Sequence, residues 1–272
     1  MTENKTAQAV LGEAQKSGAD YAELFLEDSE TNRIEMTDGK VEAAAYARVC
    51  GAGVRVLNGT RSAYAYTADT GEAALMDTAR AAAAALGSAD ETPPGGLSFS
   101  VSRFQTPVGK PFDAIKNADR VNLMREAALS AKGVSGEVTQ VTVNYLDWVQ
   151  RVKIYTSEGV CATDERPRTR LFVQAVAMKE DEAQTGYEGP GVAGGFEAYR
   201  GRIDAAAAGE KAAKMAVTML HAPECPAGFV PVVIDGGFGG AIFHEACGHS
   251  LEATFVGQGN SVFCGKLGEK IA

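Results

Sequence analysis

Two dipeptides, Asp38-Gly39 and Asn58-Gly59, restrict the early part of the chain more than any other feature. Tight hairpin turns need positive φ, which Asn, Asp and Gly accept at low cost, so each dipeptide turns the chain back antiparallel to itself. The flanking runs 31–37, 40–50, 53–57 and 61–67 therefore predict an antiparallel meander, led by an apolar strand over 21–27. An amphipathic helix over 2–16 precedes it, with Ala7, Val10, Leu11 and Ala14 at helical spacing. An alanine-rich helix over 70–86 follows and stops at Gly87, and the Pro- and Gly-rich stretch 90–96 reads as a surface loop.

The same order recurs further on. A helix is predicted over 113–132, ended by Gly133, then strands over 138–146, 151–156 and 170–178, with Ser157-Glu158-Gly159 as a turn. The glycine-rich stretch 186–195 reads as a loop leading to a helix over 203–221. Helix, strands, helix occurs twice, an architectural repeat without residue-level self-similarity. Strands segregated from helices indicate an α+β class, an antiparallel-sheet domain with flanking helices over 1–222. Pro223 to Gly228 reads as a linker, and Phe229 to Ile234 as a buried strand that opens a second unit. That unit, 229–272, is too short to bury a core of its own. It is expected to be the incomplete start of a strand-rich C-terminal domain in a truncated chain.

Composition narrows the function. A formal net charge of −9 argues against general affinity for nucleic acid or anionic membrane, which favour basic surfaces. No apolar run reaches the length of about 18 residues that a spanning helix needs, and the N-terminus lacks the apolar core of a signal peptide. The cysteines, Cys50, Cys161, Cys225, Cys247 and Cys264, are scattered without CxxC pairs, which suits a reducing cytoplasm.

The chain has 3 histidines, and two of them fall in His244-Glu245-Ala246-Cys247-Gly248-His249. Neutral imidazoles ligate zinc, and a carboxylate beside the metal can take a proton from water. The spacing sets a condition. Histidines four apart lie about 40° around an α-helix and face one ion; five apart, they are separated by about 140°. Convergence requires a wide turn or a helix end, which Gly248 is suited to permit. Spacing alone leaves open the reading that both are surface or core-edge histidines. Glu252 reads as part of a solvated face, with orientation of a ligand as the alternative. Cys247 reads as a small buried residue. Gly236, Gly237, Gly239 and Gly240 read as a strand-to-helix turn.

Taken together, 18–24 (GADYAEL), 51–59 (GAGVRVLNG), 64–67 (YAYT) and above all 244–253 (HEACGHSLEA) resemble the TldD/PmbA metalloprotease family, also called modulators of DNA gyrase. The resemblance implies an N-terminal α+β part, a strand-rich catalytic part and a TldD-type subunit. It implies zinc as cofactor, His244 and His249 as metal ligands and Glu245 as general base. It further implies peptide or unfolded-protein substrates, including precursors of peptide antibiotics, and a PmbA/TldE-like partner subunit or a homo-oligomer. The family's third ligand is a cysteine farther downstream; nothing assigns that role to Cys264, which puts activity of this chain alone in question. Two alternatives are a non-catalytic module that adds a peptide to a sheet edge and a gyrase-regulatory partner acting through protein contact.

Overall fold

The computed structural model describes residues 4–87, 98–236 and 239–271. The expected loop at 90–96 and Gly237 lie outside the described residues. Eight strands form one sheet in the order β3-β2-β1-β5-β6-β4, with β7 and β8 also paired to β6. The strands are β1 (Tyr21–Thr37), β2 (Lys40–Asn58), β3 (Arg61–Thr67), β4 (Ser100–Gln105), β5 (Val138–Thr156), β6 (Val160–Lys179), β7 (Glu182–Glu188) and β8 (Gly191–Ala193). All pair antiparallel except β4, which runs parallel to β6. The antiparallel α+β class read from the sequence is the class observed.

Several predicted strands are halves of longer ones. The expected break after Glu27 is absent because the polar residues there are paired across the sheet. Asp28 accepts two hydrogen bonds from Arg48 at 2.8 and 2.7 Å, and Glu30 accepts one from Arg151 at 2.7 Å. The predicted gap in β2 closes because Gly51 and Gly53 serve packing. A Cβ on Gly53 would overlap the Tyr64 ring, which lies across it from β3. The stretch 186–195 is no simple loop, since it forms the end of β7 and all of β8. Gly186 is required by helix contact: a Cβ there would fall 2.1 Å from the Ala212 carbonyl.

At the first turn Asp38 and Gly39 both have positive φ, 48° and 80°, as the hairpin reading expects. At the second, Asn58 pairs with Arg61, so the central residues are Gly59 and Thr60, one step later than the dipeptide suggested. Gly159, at φ 85°, ends the three-residue turn between β5 and β6.

Helices cover one face in two pairs. α1 (Asn4–Gln15) and α2 (Glu72–Leu86) bury Val10, Leu11, Leu75 and Ala79 against Leu24, Val54 and Tyr155. α3 (Asn117–Lys132) and α4 (Ala205–Leu220) bury Met124, Ala127, Ala212 and Ala216 against Val143, Leu171 and Val173. The predicted start of α3 at residue 113 is replaced by a 3-10 turn, Phe112–Ala114, with the helix proper beginning at Asn117. α4 approaches α3 closely because a Cβ at Gly209 would meet the Ala127 carbonyl oxygen at 2.0 Å.

Between the helix pairs lies a buried polar group. Arg120 is 3% exposed and Asp147 1%, and they pair at 2.8 Å. Arg120 also donates to the carbonyls of Ile115 at 2.7 Å and Phe112 at 2.8 Å. Asp147 accepts from Tyr145 at 2.9 Å and from Asn32 of β1 at 2.7 Å. Burial first, and then the Asp147 charge, push the Tyr145 phenol upward, so it remains a donor.

After α4 the chain changes character. Phe229 to Ile234, expected as a buried strand, is not a strand, and its apolar side chains are exposed: Phe229, Val232 and Val233 are 111, 74 and 97% exposed. An extended segment without a strand to pair with has no partners for its backbone, and periodicity cannot supply them. No strand occurs among the described residues of 229–271.

Removing Arg120 would strand a carboxylate in the sheet. Arg120→Ala is expected to lower unfolding free energy by about 3–5 kcal/mol, read from urea denaturation. A loss under about 1 kcal/mol would show that the pair is not the buried centre described.

Candidate metal centre

A short helix, α5 (Gly240–Phe243), carries the chain into the histidine motif. The next turn, His244–Gly248, is a π-helix, and the backbone N–H of His249 bonds to the carbonyl of His244. A five-residue hydrogen-bonded ring stacks residue i+5 over residue i, which a regular α-helix does not do. The wide turn that the spacing demanded is therefore formed. Gly248 contributes differently from expectation. Its φ of −58° and ψ of −54° are ordinary helical values open to any residue. Its lack of a side chain matters because a Cβ there would lie 3.4 Å from His244 Nδ1.

The consequence is convergence. The imidazole rings of His244 and His249 lie with centroids 4.4 Å apart and planes at 66°. One ligand atom from each of His244, Glu245 and His249 falls within 4.8 Å of the others. Ligand atoms on one zinc are at most about 4.2 Å apart, twice the Zn–N distance, so modest side-chain rotation closes the set. All three residues are exposed and free to make it. Two imidazoles suit zinc as ligands, and the carboxylate beside them is placed to act on a water held there.

Beyond the turn, His249–Leu251 forms a 3-10 segment that brings Glu252 back under His249. His249 Nδ1 donates to Glu252 Oε1 at 2.6 Å, leaving Nε2, 3.7 Å from Glu245 Oε2, as the ring atom with a lone pair. This corrects the expectation of a merely solvated face: Glu252 is exposed, but its carboxylate orients the imidazole, as partners of metal-binding histidines do. The Glu252 hydrogen bond raises the His249 pKa above the ordinary imidazole value, against desolvation and with help from the charges of Glu245 and Glu252. Sequence spacing gave i+3 for this pair but could not show that the helix narrows there.

Cys247 is exposed, not buried as expected, because no core forms around this segment. Cys264 does not join the cluster; its Sγ lies 3.4 Å from the Val256 carbonyl. Among the described residues, His244, Glu245 and His249 are the one group of three or more such side chains close enough to share an ion. Gly236 and Gly239 each have turn geometry before α5, and among the described residues no strand precedes them.

Comparison with known proteins matches this chain to three consecutive domains of one family. Residues 22–86 match PmbA/TldA metallopeptidase domain 1, 110–220 its central domain and 227–272 its C-terminal domain. The Metalloprotease TldD homolog of Haemophilus influenzae is 28% identical over 93% of this chain and 54% of its own length. A metalloprotease of Methanothermobacter thermautotrophicus is 32% identical over 93% of this chain and 55% of its own. The chain thus spans about half the length of the curated relatives it matches. Among solved structures, a candidate modulator of DNA gyrase from Bacteroides thetaiotaomicron superposes with a TM-score of 0.75 at 18% identity, over 100% of this chain and 63% of that one. TldE from Thermococcus kodakarensis gives 0.52 at 12% identity, over 77% and 46%.

A raised His249 pKa means that protons compete with metal for this ring as pH falls through that value. In the metal-free protein, Glu252→Gln should bring the His249 pKa down toward that of a free imidazole, followed by NMR titration of the ring protons. An unchanged midpoint would separate Glu252 from His249.

Proposed function

Because the chain belongs to the PmbA/TldD metallopeptidase family, we propose that it is a TldD-type subunit whose His244 and His249 ligate zinc and whose Glu245 is the general base of peptide hydrolysis. The observation that carries this reading is the π turn, which brings two imidazoles and the intervening carboxylate together at a spacing that a regular helix would disperse.

Zinc held there would supply a Lewis acid for a scissile carbonyl and lower the pKa of water from ~15.7 toward ~7. Glu245 is exposed beside the imidazoles and able to accept the proton from attacking water. It can then return that proton to the leaving amine. Glu252 keeps the proton of His249 on Nδ1 and thereby leaves Nε2 for the metal. The rings lie against each other in an exposed position, so an extended peptide can reach them.

The substrate class belonging to this reading is a peptide or unfolded protein. Fold likeness to TldE supports a partner subunit of PmbA/TldE type, with a second copy of this chain as the alternative. The division into an α+β unit over 1–222 and a catalytic unit beginning at 229 is part of the same proposal, supported by family matches that break between 220 and 227. A cytoplasmic setting is supported by five unpaired cysteines. No described helix is long and apolar enough to cross a membrane.

Zinc affinity can be measured by competition with a chromophoric chelator. Changing a residue that only orients a ligand costs about 10–100-fold in affinity, so His244→Ala and His249→Ala should each lose at least about tenfold. Glu245→Gln should keep zinc and lower cleavage of an unfolded protein by about 10²–10⁴-fold, followed by mass spectrometry. Equal zinc affinity in the histidine variants, or undiminished cleavage by Glu245→Gln, would contradict the assignment.

A further inference from the structure

Among the described residues, the four long helices lie on one face of the sheet, and the opposite face is lined by half-buried and exposed side chains. Strand alternation identifies what it presents. On β5, Val143, Tyr145, Asp147 and Val149 are buried toward the helices, so Leu146 and Trp148 point the other way. On β6, Thr169, Leu171 and Val173 are buried, which puts Arg168, Arg170 and Phe172 on the opposite face. On β1, Ile34 and Met36 are buried, which puts Arg33 there as well. Register brings these residues together: Arg33 is opposite Leu146, which is opposite Arg170, and Trp148 is opposite Arg168.

The three arginines are exposed. The guanidinium of Arg168 lies 5.8 Å from the centre of the Trp148 ring, and that of Arg170 lies 5.9 Å from the centre of Phe172. Phe172 in turn stacks on Tyr187 at 6.1 Å. An arginine held over an aromatic ring is positioned by the ring yet keeps its N–H edge free for a carboxylate. Some other charges on this face are already satisfied. Arg166 is paired with Asp164 at 2.5 Å, and Glu27 accepts from Ser29 and from Gln150. Arg33 and Arg168 have no carboxylate partner among the described residues, and Arg170 donates to the Gly189 carbonyl at 3.2 Å. Glu35, two residues beyond Arg33, bounds the patch at that end. Three arginines without acidic partners are conspicuous in a chain of net charge −9.

We propose that this face docks an acidic peptide in extended conformation, with carboxylates on alternate residues meeting Arg168 and Arg170 and a further carboxylate meeting Arg33. The pitch supports it. Alternate residues of a strand are about 6.8 Å apart, so Glu side chains at i and i+2 of an extended peptide repeat at the same interval as Arg168 and Arg170. Bidentate pairing of guanidinium with carboxylate supplies the attraction, and the aromatic floor excludes water from beneath it. The proposal needs no metal and stands apart from the hydrolase reading.

The test is fluorescence anisotropy with a labelled peptide carrying Glu at alternate positions, on the intact chain in the presence of EDTA. Binding is expected, at least about tenfold tighter than for the same peptide with Gln, and weakening as salt rises. Arg168→Glu with Arg170→Glu should abolish it while the far-UV circular dichroism spectrum stays unchanged, and Arg168→Lys should weaken it, since an ammonium cannot pair bidentately. His244→Ala should leave it untouched, so failure here and failure of the zinc reading are separately visible. Equal binding of the Gln peptide, undiminished binding by the charge-reversed variant, or no binding at all would overturn the proposal. So would a sedimentation result in which this face is occupied by a second copy of the chain.

Discussion

The Asp147 carboxylate, with almost no exposure to water, is the constraint around which the sheet and its helices are arranged. It lies where β1 and β5 pair, and that pairing runs through fifteen residues of each strand, from Glu23 with Thr156 to Thr37 with Thr142. Asn32 reaches it from β1, Tyr145 from its own strand and Arg120 from α3. A charge so placed is tolerable only when each of its lone pairs is met. Meeting them fixes α3, through Arg120, and the Phe112 turn, whose carbonyl Arg120 also holds. The two helix pairs take separate halves of one sheet. Matches to domain 1 and to the central domain of the family accordingly fall on a single continuous sheet.

The histidine site rests on a different principle. It owes nothing to the sheet and everything to one local hydrogen bond, from the N–H of His249 to the carbonyl of His244. An inserted residue in a helical turn is costly, and such turns are found mostly where function retains them. Here the return is geometric: two rings that an α-helix would send to different neighbours come to lie in contact. The 3-10 segment that follows compensates by narrowing the helix, and that narrowing delivers Glu252 to His249. The wide turn and the tight one act as a pair, the first gathering donors and the second orienting one of them.

Much of this was legible in the residues themselves. Asp38-Gly39 announced its hairpin because only a few residue types accept positive φ, and both do so here. The helix over 203–221 was expected, and α4 spans Ala205–Leu220; its close approach to α3 at Gly209 is seen only in the structure. Strand lengths were less legible, because a polar run such as Asp28-Ser29-Glu30 looks like a loop until Arg48 and Arg151 are known to face it from other strands. The segment Phe229 to Ile234 shows the opposite limit. Its apolar sequence reads as a strand, yet strand formation depends on a neighbour that periodicity does not name. One geometric condition was legible, that residues 244 and 249 must share a face; the means of meeting it lay in backbone hydrogen bonding.

X-ray absorption at the zinc edge, on the chain loaded with one equivalent of metal, tests the convergence of His244 and His249 most directly. Two imidazole nitrogens at about 2.0–2.1 Å are expected, falling to one in His249→Ala. A spectrum with one imidazole or none in the unaltered protein would contradict the account.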